Sequence, residues 1–235
     1  MLDHVIIIPS KRPIEHIQKC LNYIYQTLNL QKYSYQIYIY SSEEIKGDHI
    51  KWIKDYGDSA VFGVNYIYHL IKNKTYSIST FGDSVGVSPQ FFDSVEYILE
   101  KFPSNRKIKI ASLPDSPQGT PCRLPCGEAK DFTHMQKMDG CVSRFPILET
   151  DSVETYLNGY LFNPFFKHHW VDNWLGYYLT KLGEPSFEIP LGQLAISTIP
   201  HQQFTNHDEH DKKIILKLME QFNTNKHTTY IECPY

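Results

Sequence analysis

The first apolar block of the chain is unbroken: Val5-Ile6-Ile7-Ile8, closed by Pro9. A β-branched run without alternation predicts a strand buried on both faces, as in a parallel sheet. Beyond Pro13 the apolar positions fall at Ile14, Ile17, Leu21, Ile24 and Leu28, one stripe of a helix. Tyr35 to Tyr40 reads as strand again, closed by Ser41-Ser42-Glu43-Glu44. Strand, helix and strand make a βαβ unit with a right-handed crossover.

A second helix is predicted over Ala60 to Lys72, with Val61, Val64, Ile67 or Tyr68, and Ile71 on one face. Tyr76 to Phe81 is the third strand of this reading. Ser88-Pro89 then signals a helix start, Ser at the N-cap and Pro at the first helical position. Phe92, Val95 and Leu99 give that helix its buried face. Lys107 to Ser112 is a fourth strand. From Leu113 to about Asp139 periodicity stops, and Pro, Gly, Cys and charged residues dominate. This predicts a long loop or flap over 113–139. Val171 to Leu182 is helical, with Val171, Trp174, Leu175, Tyr178 and Leu182 aligned. Phe187 to Ile199 is expected to contain strand, Asp211 to Phe222 the last helix, and the tail to be irregular. The whole reads as one α/β domain, residues 1–235, with no internal repeat or linker.

Composition narrows the function classes. Hydrophobic residues make up 41% and charged residues 21% of the 235 positions, which suits a soluble globular protein. A formal net charge of −3 gives no nucleic-acid footprint. No apolar run reaches membrane-span length, and the N-terminal VIII lacks the length and basic leader of a signal peptide. A cytoplasmic location is expected. The five cysteines, at 20, 122, 126, 141 and 233, form an odd set, so reduced thiols are expected.

The chemistry gathers after the strand at Tyr76. Gly82-Asp83-Ser84-Val85-Gly86 fits the G-x-S-x-G pattern, and Phe81-Gly82-Asp83-Ser84 resembles the FGDS block of GDS-type esterases. A nucleophile elbow passes directly from its Ser into a helix. Here the helix signal waits until Ser88-Pro89, and Val85-Gly86-Val87 intervenes as a loop. The esterases' Asp-x-x-His pair has only Asp208-Glu209-His210, one residue short, and their Gly-x-Asn-Asp block is missing. The other reading makes Asp83, at the end of a strand, a metal ligand.

The order of elements resembles a GT-A glycosyltransferase, particularly the family-2-like group. The residues that carry this resemblance are Ile6-Ile7-Ile8-Pro9-Ser10 at the first strand and Cys20-Leu21 on the helix. Tyr40-Ser41-Ser42-Glu43-Glu44, Phe81-Gly82-Asp83-Ser84 and Ser88-Pro89-Gln90-Phe91-Phe92 follow in the family's order. Last come Gly159-Tyr160-Leu161-Phe162-Asn163-Pro164 and Trp170-Val171-Asp172-Asn173-Trp174-Leu175. The resemblance implies transfer of a sugar from a UDP- or GDP-type nucleotide sugar to a hydroxyl acceptor, on a glycan above all or on a protein or lipid-linked acceptor, assisted by Mn²⁺ or Mg²⁺. It places Pro9, Ser10, Arg12, Ser42, Glu43 and Asp83 at the nucleotide, with Lys11 also near the diphosphate. The family's Asp-x-Asp is reduced here to Asp83 alone. A second metal ligand is therefore expected late in the chain, at His201, with His207 and His210 behind it. A hard cation on carboxylate oxygens would neutralise the leaving diphosphate.

An inverting transfer needs a base for the acceptor hydroxyl. Asp172 opens a helix between Trp170 and Trp174, where a negative charge is favoured and aromatic faces suit sugars. Asp151 and Glu149 are next in line.

Each residue also has a plain structural reading: a helix-start carboxylate for Asp172, core for the two Trp, a loop cap for Asp83, a solvated turn for Glu43 and Glu44, a surface histidine for His201. Cys122, Cys126, His134 and Cys141 are zinc-ligand types at a spacing that matches no common finger. Pro9-Ser10-Lys11-Arg12-Pro13 has the basic residues of a nucleotidyltransferase loop without its glycines. A carbohydrate-binding protein without catalysis would keep the aromatic residues and tolerate loss of Asp83 and Asp172.

Overall fold

A computed structural model describes residues 1–26, 32–57, 59–83, 85–87, 91–112, 145–168, 170–184, 187–188, 196–198, 208–224 and 229–231. In chain order the elements are β1 (Leu2–Pro9), α1 (Ile14–Gln26), β2 (Tyr35–Ser41), β3 (Ile50–Lys54), α2 (Ala60–Ile71), β4 (Thr75–Thr80), β5 (Val85–Val87), α3 (Phe91–Glu96, continued by a π turn, Tyr97–Lys101), β6 (Ile110–Ser112), β7 (Pro146–Glu149), α4 (Thr150–Tyr156), α5 (Val171–Lys181), β8 (Phe187–Glu188), β9 (Ile196–Thr198) and α6 (Asp208–Thr224).

Seven strands form one sheet in the order β3-β2-β1-β4-β7-β6-β8. The run β3-β2-β1-β4 is parallel, β7 is antiparallel to both neighbours, and β6 pairs β8 in parallel. The expected mixed, mostly parallel sheet flanked by helices is what the chain forms. β1 is central and fully buried from Val5 to Ile8, which is why its sequence shows no alternation. Val5 and Ile7 face α2, α4, α5 and α6; Ile6 and Ile8 face α1 and α3. The sheet therefore lies between two helical layers.

Four expectations need correction. Residues 50–54 form a strand, so the strand at Tyr76 is fourth in the chain. Its IKWIK pattern is only half-buried at the sheet edge, and its lysines hid it. Val85-Gly86-Val87 is not a loop leading to a helix but a strand, β5, paired antiparallel with β9. β7 and α4 were not anticipated; they are short and follow directly on the aperiodic stretch. The strand expected from Lys107 begins at Ile110. The Ser88-Pro89 start signal and the flap at 113–139 lie outside the described residues.

One buried polar cluster ties β1 to β4. His4 is fully buried, its Nδ1 2.8 Å from the Ser77 hydroxyl and its Nε2 2.9 Å from that of Ser79. Burial pulls its pKa down to about 3, against a small opposing pull from Asp3. A histidine in the unfolded chain titrates near ~6.5. Between these values the unfolded chain binds a proton that the folded protein refuses. The His4 contribution is thus fully present above pH ~6.5 and is lost as pH falls toward 3, at up to ~1.4 kcal/mol per pH unit. Between pH 7 and pH 5 the unfolding free energy of the wild type should drop by about 2 kcal/mol more than that of His4→Gln. Equal slopes in urea titrations of the two proteins would contradict this.

Candidate functional site

Parallel strands β1 to β4 all end on one side of the sheet, and loops gather there. β1 hands over to Ser10, whose N–H donates to Tyr40 O at 2.8 Å. The Ser10 hydroxyl accepts the N–H of Arg12 at 3.2 Å, folding residues 10–12 into a tight turn over the strand ends. β4 runs through Thr80 to Asp83, which is 6% exposed. The Ser10 hydroxyl donates to Asp83 Oδ2. Arg12 Nε lies 3.6 Å from the other oxygen, Asp83 Oδ1, with both side chains largely buried. Two segments, 73 residues apart at Ser10 and Asp83, thus close on one carboxylate.

The neighbouring strand ends add a second group. Ser41 is buried; its hydroxyl donates to Glu43 O at 2.8 Å, and Trp52 Nε1 donates to Ser41 O at 3.1 Å. Asp55, one residue past β3, takes the N–H of Gly57 at 2.8 Å on Oδ1 and faces Lys11 Nζ at 3.8 Å through Oδ2. Its own N–H donates to Ser41 O at 2.9 Å. Ser42 and Glu43 are exposed beside it. Asp55 was not singled out in the sequence, because the strand that presents it was not recognised.

The start of α5 lies at the same end of the sheet. α2 runs back from the end of β3 to the start of β4, so its N-terminus is at the carboxyl ends of the strands. Val61 N donates there to Lys167 O at 3.3 Å. Asp211, fully buried near the start of α6, accepts the N–H groups of Lys167 and His168 at 2.9 and 2.8 Å. α5 begins at Val171, immediately beyond. Asp172 is half-buried, and its Oδ1 accepts the N–H of Asn173 at 3.0 Å. Trp170 caps the helix with φ of 63°, a left-handed conformation that costs a bulky residue free energy. The Nδ2 of Asn173 is buried with no hydrogen-bond partner among the described residues.

Trp174 is different. It has no exposed surface, stacks with Tyr177 and Tyr230, and donates through Nε1 to Tyr230 O at 3.0 Å. The structure corrects its expected place at the acceptor: it is core, with no face open to a sugar.

Among the described residues no three His, Cys, Asp or Glu side chains converge as metal ligands. Asp83 offers one carboxylate, and Ser10 and Arg12 already engage both of its oxygens. A divalent cation needs more oxygen ligands and no guanidinium against the one it has. The described residues do not fit such a cation. His201, His207, Ser84, Cys122, Cys126, His134 and Cys141 lie outside the described residues. Thr198, three residues before His201, pairs with Val85, two residues after Asp83. His210 is near the start of α6, its Nε2 3.3 Å from Phe165 O. No helix among the described residues is long and apolar enough to cross a membrane.

No family model and no curated protein matches the sequence. Solved structures do match the fold. S. aureus TarS, residues 1–349, superposes with a TM-score of 0.58 at 8% identity over 84% of this chain. Its complex with UDP matches at 0.58 and 9% identity over 85% of this chain and 61% of its own. The catalytic domain of Drosophila β1,4-galactosyltransferase 7 with xylobiose matches at 0.57 and 9% identity, over 90% of this chain and 80% of that one. A mutant of that enzyme was solved with manganese, UDP-Gal and xylobiose. The chain spans 60% of the TarS 1–349 structure. The likeness is one of fold, and the fold is that of GT-A glycosyltransferases.

Proposed function

We propose that this protein transfers a sugar from a nucleoside diphosphate sugar to a hydroxyl of a glycan acceptor. The observation that carries this reading is the convergence of Ser10, Arg12 and Asp83 at the carboxyl ends of β1 and β4, on a GT-A sheet. Solved neighbours of the same fold hold UDP, UDP-GlcNAc or UDP-Gal. In this protein the ends of β2 and β3, with Ser42, Glu43 and Asp55, take the nucleoside. The turn Pro9-Ser10-Lys11-Arg12 meets the diphosphate, and Asp83 fixes the turn.

The acceptor enters from the α5 side, against Trp170. Its hydroxyl attacks the anomeric carbon of the donor as the bond to the diphosphate breaks. Asp172 takes the hydroxyl proton, and the nucleoside diphosphate leaves with its added charge against Arg12. The Mn²⁺ or Mg²⁺ assistance that the resemblance implies has no step in this scheme, since the described donor set does not suit it.

Binding is the first test. At a hundredfold excess over its Kd, a nucleotide that binds only the folded state adds about 2.7 kcal/mol, which for a chain of this size raises Tm by roughly 5–10 °C. UDP or GDP should do this at millimolar concentration, and adenosine alone should not. Absence of any shift, together with covalent labelling of Ser84 by a fluorophosphonate, would replace the transferase by a serine hydrolase.

A further inference from the structure

The solvent face of a surface helix is normally charged or polar. α1 follows this, opening Glu15, Gln18, Lys19 and Asn22 to solvent. α2 does not. Its sequence, AVFGVNYIYHLI, holds no Asp, Glu, Lys or Arg, and the positions it leaves open are Phe62, Tyr66, His69 and Leu70. Phe62 is 49% exposed, Tyr66 44% and Leu70 42%. Spaced at i, i+4 and i+8, the three form one stripe along the helix. The rings of Phe62 and Tyr66 lie with centroids 6.0 Å apart and only 10° between their planes.

The stripe leads to the end of the sheet where α5 begins. Val61 N donates to Lys167 O at 3.3 Å in the first turn of α2. In its middle, Asn65 exchanges two hydrogen bonds with the Phe162 backbone, at 2.8 and 3.1 Å. In its last turn His69 meets the Tyr160 ring edge-on at 5.0 Å. Residues 160–167 therefore run along α2 in the opposite direction, and the chain continues from Lys167 to α5 and Asp172. Phe62 marks the end of the stripe toward Asp172.

We propose that Phe62, Tyr66 and Leu70 dock the acceptor, an uncharged oligosaccharide whose reacting unit lies at Asp172 and whose further units lie along α2. This rests on the sugar-transfer reading above. The face of an aromatic ring is electron-rich and attracts the C–H groups of a sugar face. The sugar hydroxyls stay at the edge in water, so little polar desolvation opposes the contact. A charged polymer would find no ion-pair partner among the carboxylates, lysines and arginines that α2 lacks. Area argues against a second copy of the chain: half-exposed side chains of this size show about 100 Å² each, roughly 300 Å² for three, against ~800 Å² per partner in a stable interface. A membrane-surface helix would carry Lys or Arg beside its apolar face, and α2 has neither.

The test is calorimetric titration of neutral tetrasaccharides of glucose, galactose, mannose or N-acetylglucosamine into the full chain, with UDP and GDP titrated in parallel. At least one tetrasaccharide should bind. Phe62→Ala and Tyr66→Ala are each expected to weaken it by about three- to tenfold, the worth of one aromatic face. Tyr66→Phe should keep wild-type affinity, and so should Tyr76→Ala, which removes an exposed ring from the opposite end of the sheet. Nucleotide affinity should be the same in all four variants, which also reports that they are folded. Wild-type tetrasaccharide affinity in Phe62→Ala and Tyr66→Ala, or no tetrasaccharide bound by a protein that binds a nucleotide, would overturn the inference and leave the transferase reading standing. A dimer in sedimentation, or flotation with phosphatidylglycerol vesicles, that Phe62→Ala abolishes would overturn it in favour of a second copy or a lipid surface. Tetrasaccharide bound through the stripe by a protein that binds no nucleotide would keep the docking stripe and replace the transferase by a carbohydrate-binding protein. If neither ligand binds, both readings fail.

Discussion

Asp172→Asn is expected to lower sugar transfer by about 10²- to 10⁴-fold, the usual worth of a positioned general base, while leaving nucleotide affinity unchanged. That loss corresponds to about 2.7–5.4 kcal/mol of transition-state stabilisation. The separation of effects follows from position. Asp172 belongs to the first turn of α5, on the helical layer formed with α2, α4 and α6, whereas Arg12 and Asp83 sit on the turns after β1 and β4. Both regions face the same end of the sheet, and the proposed function gives one to the acceptor and the other to the donor. The amide is isosteric and can still accept the Asn173 N–H that Asp172 holds at 3.0 Å. The remaining cost is the helix-start charge, about 0.3–1 kcal/mol of stability. Turnover and calorimetry on the same protein separate the outcomes. Wild-type transfer by Asp172→Asn would move the base elsewhere, to Asp151 or Glu149. Of these, Glu149 is held by Lys109 Nζ at 2.6 Å and by the Ser152 hydroxyl at 3.0 Å, which leaves it poorly placed to accept a substrate proton. Loss of nucleotide affinity with the charge of Asp172 would merge the two regions into one.

Trp174→Ala is expected to cost about 3–5 kcal/mol of folding stability, the range for removing a large buried aromatic side chain. Its ring lies within 6.5 Å, centroid to centroid, of Tyr177, Tyr178, Phe222 and Tyr230. It joins α5 to α6 and to the chain near Tyr230, and no neighbour can fill the space without leaving its own contacts. The indole N–H also pins Tyr230 O, which Asn163 Nδ2 shares at 2.8 Å. Trp174→Phe should lose less, because most of the apolar volume stays and Asn163 still satisfies the carbonyl. Urea unfolding of the three proteins measures this directly. A Trp174→Ala protein as stable as the wild type would mean that the ring is not core, and a sugar-facing role would return.

What was legible in the sequence depended on burial. β1 is enclosed on both faces and reads as VIII. α1 and α2 each present one apolar face to the sheet and show it as a stripe. The helix of α5 was recognisable too, yet its apolar stripe was also the reason to mistake Trp174: aromatic residues beside a carboxylate look the same whether they face a sugar or the core. β3 failed for the opposite reason, since a half-buried edge strand with lysines carries a weak apolar signal. Asp55 was lost with it. β5 has only three residues and finds its partner β9 more than a hundred positions away, so local pattern had nothing to report. The same distance in sequence hid the pairing of Arg12 with Asp83. Both residues were candidates for the site, but nothing short of the folded β1–β4 register brings them together. Asp83 as a metal ligand was inferred from its place after a strand, and that place is where it stands. Beside it, Arg12 Nε lies 3.6 Å from Oδ1.

The central claim is sugar transfer from a nucleoside diphosphate donor, and release of the free nucleotide tests it most directly. The full chain is mixed with a panel of UDP- and GDP-sugars and glycan acceptors, and UDP or GDP is quantified over time. At least one donor should be consumed with the acceptor gaining one sugar by mass, and Asp172→Asn should release nucleotide about 10²- to 10⁴-fold more slowly. Full retention of every donor by a folded protein that binds none of the nucleotides would contradict the account.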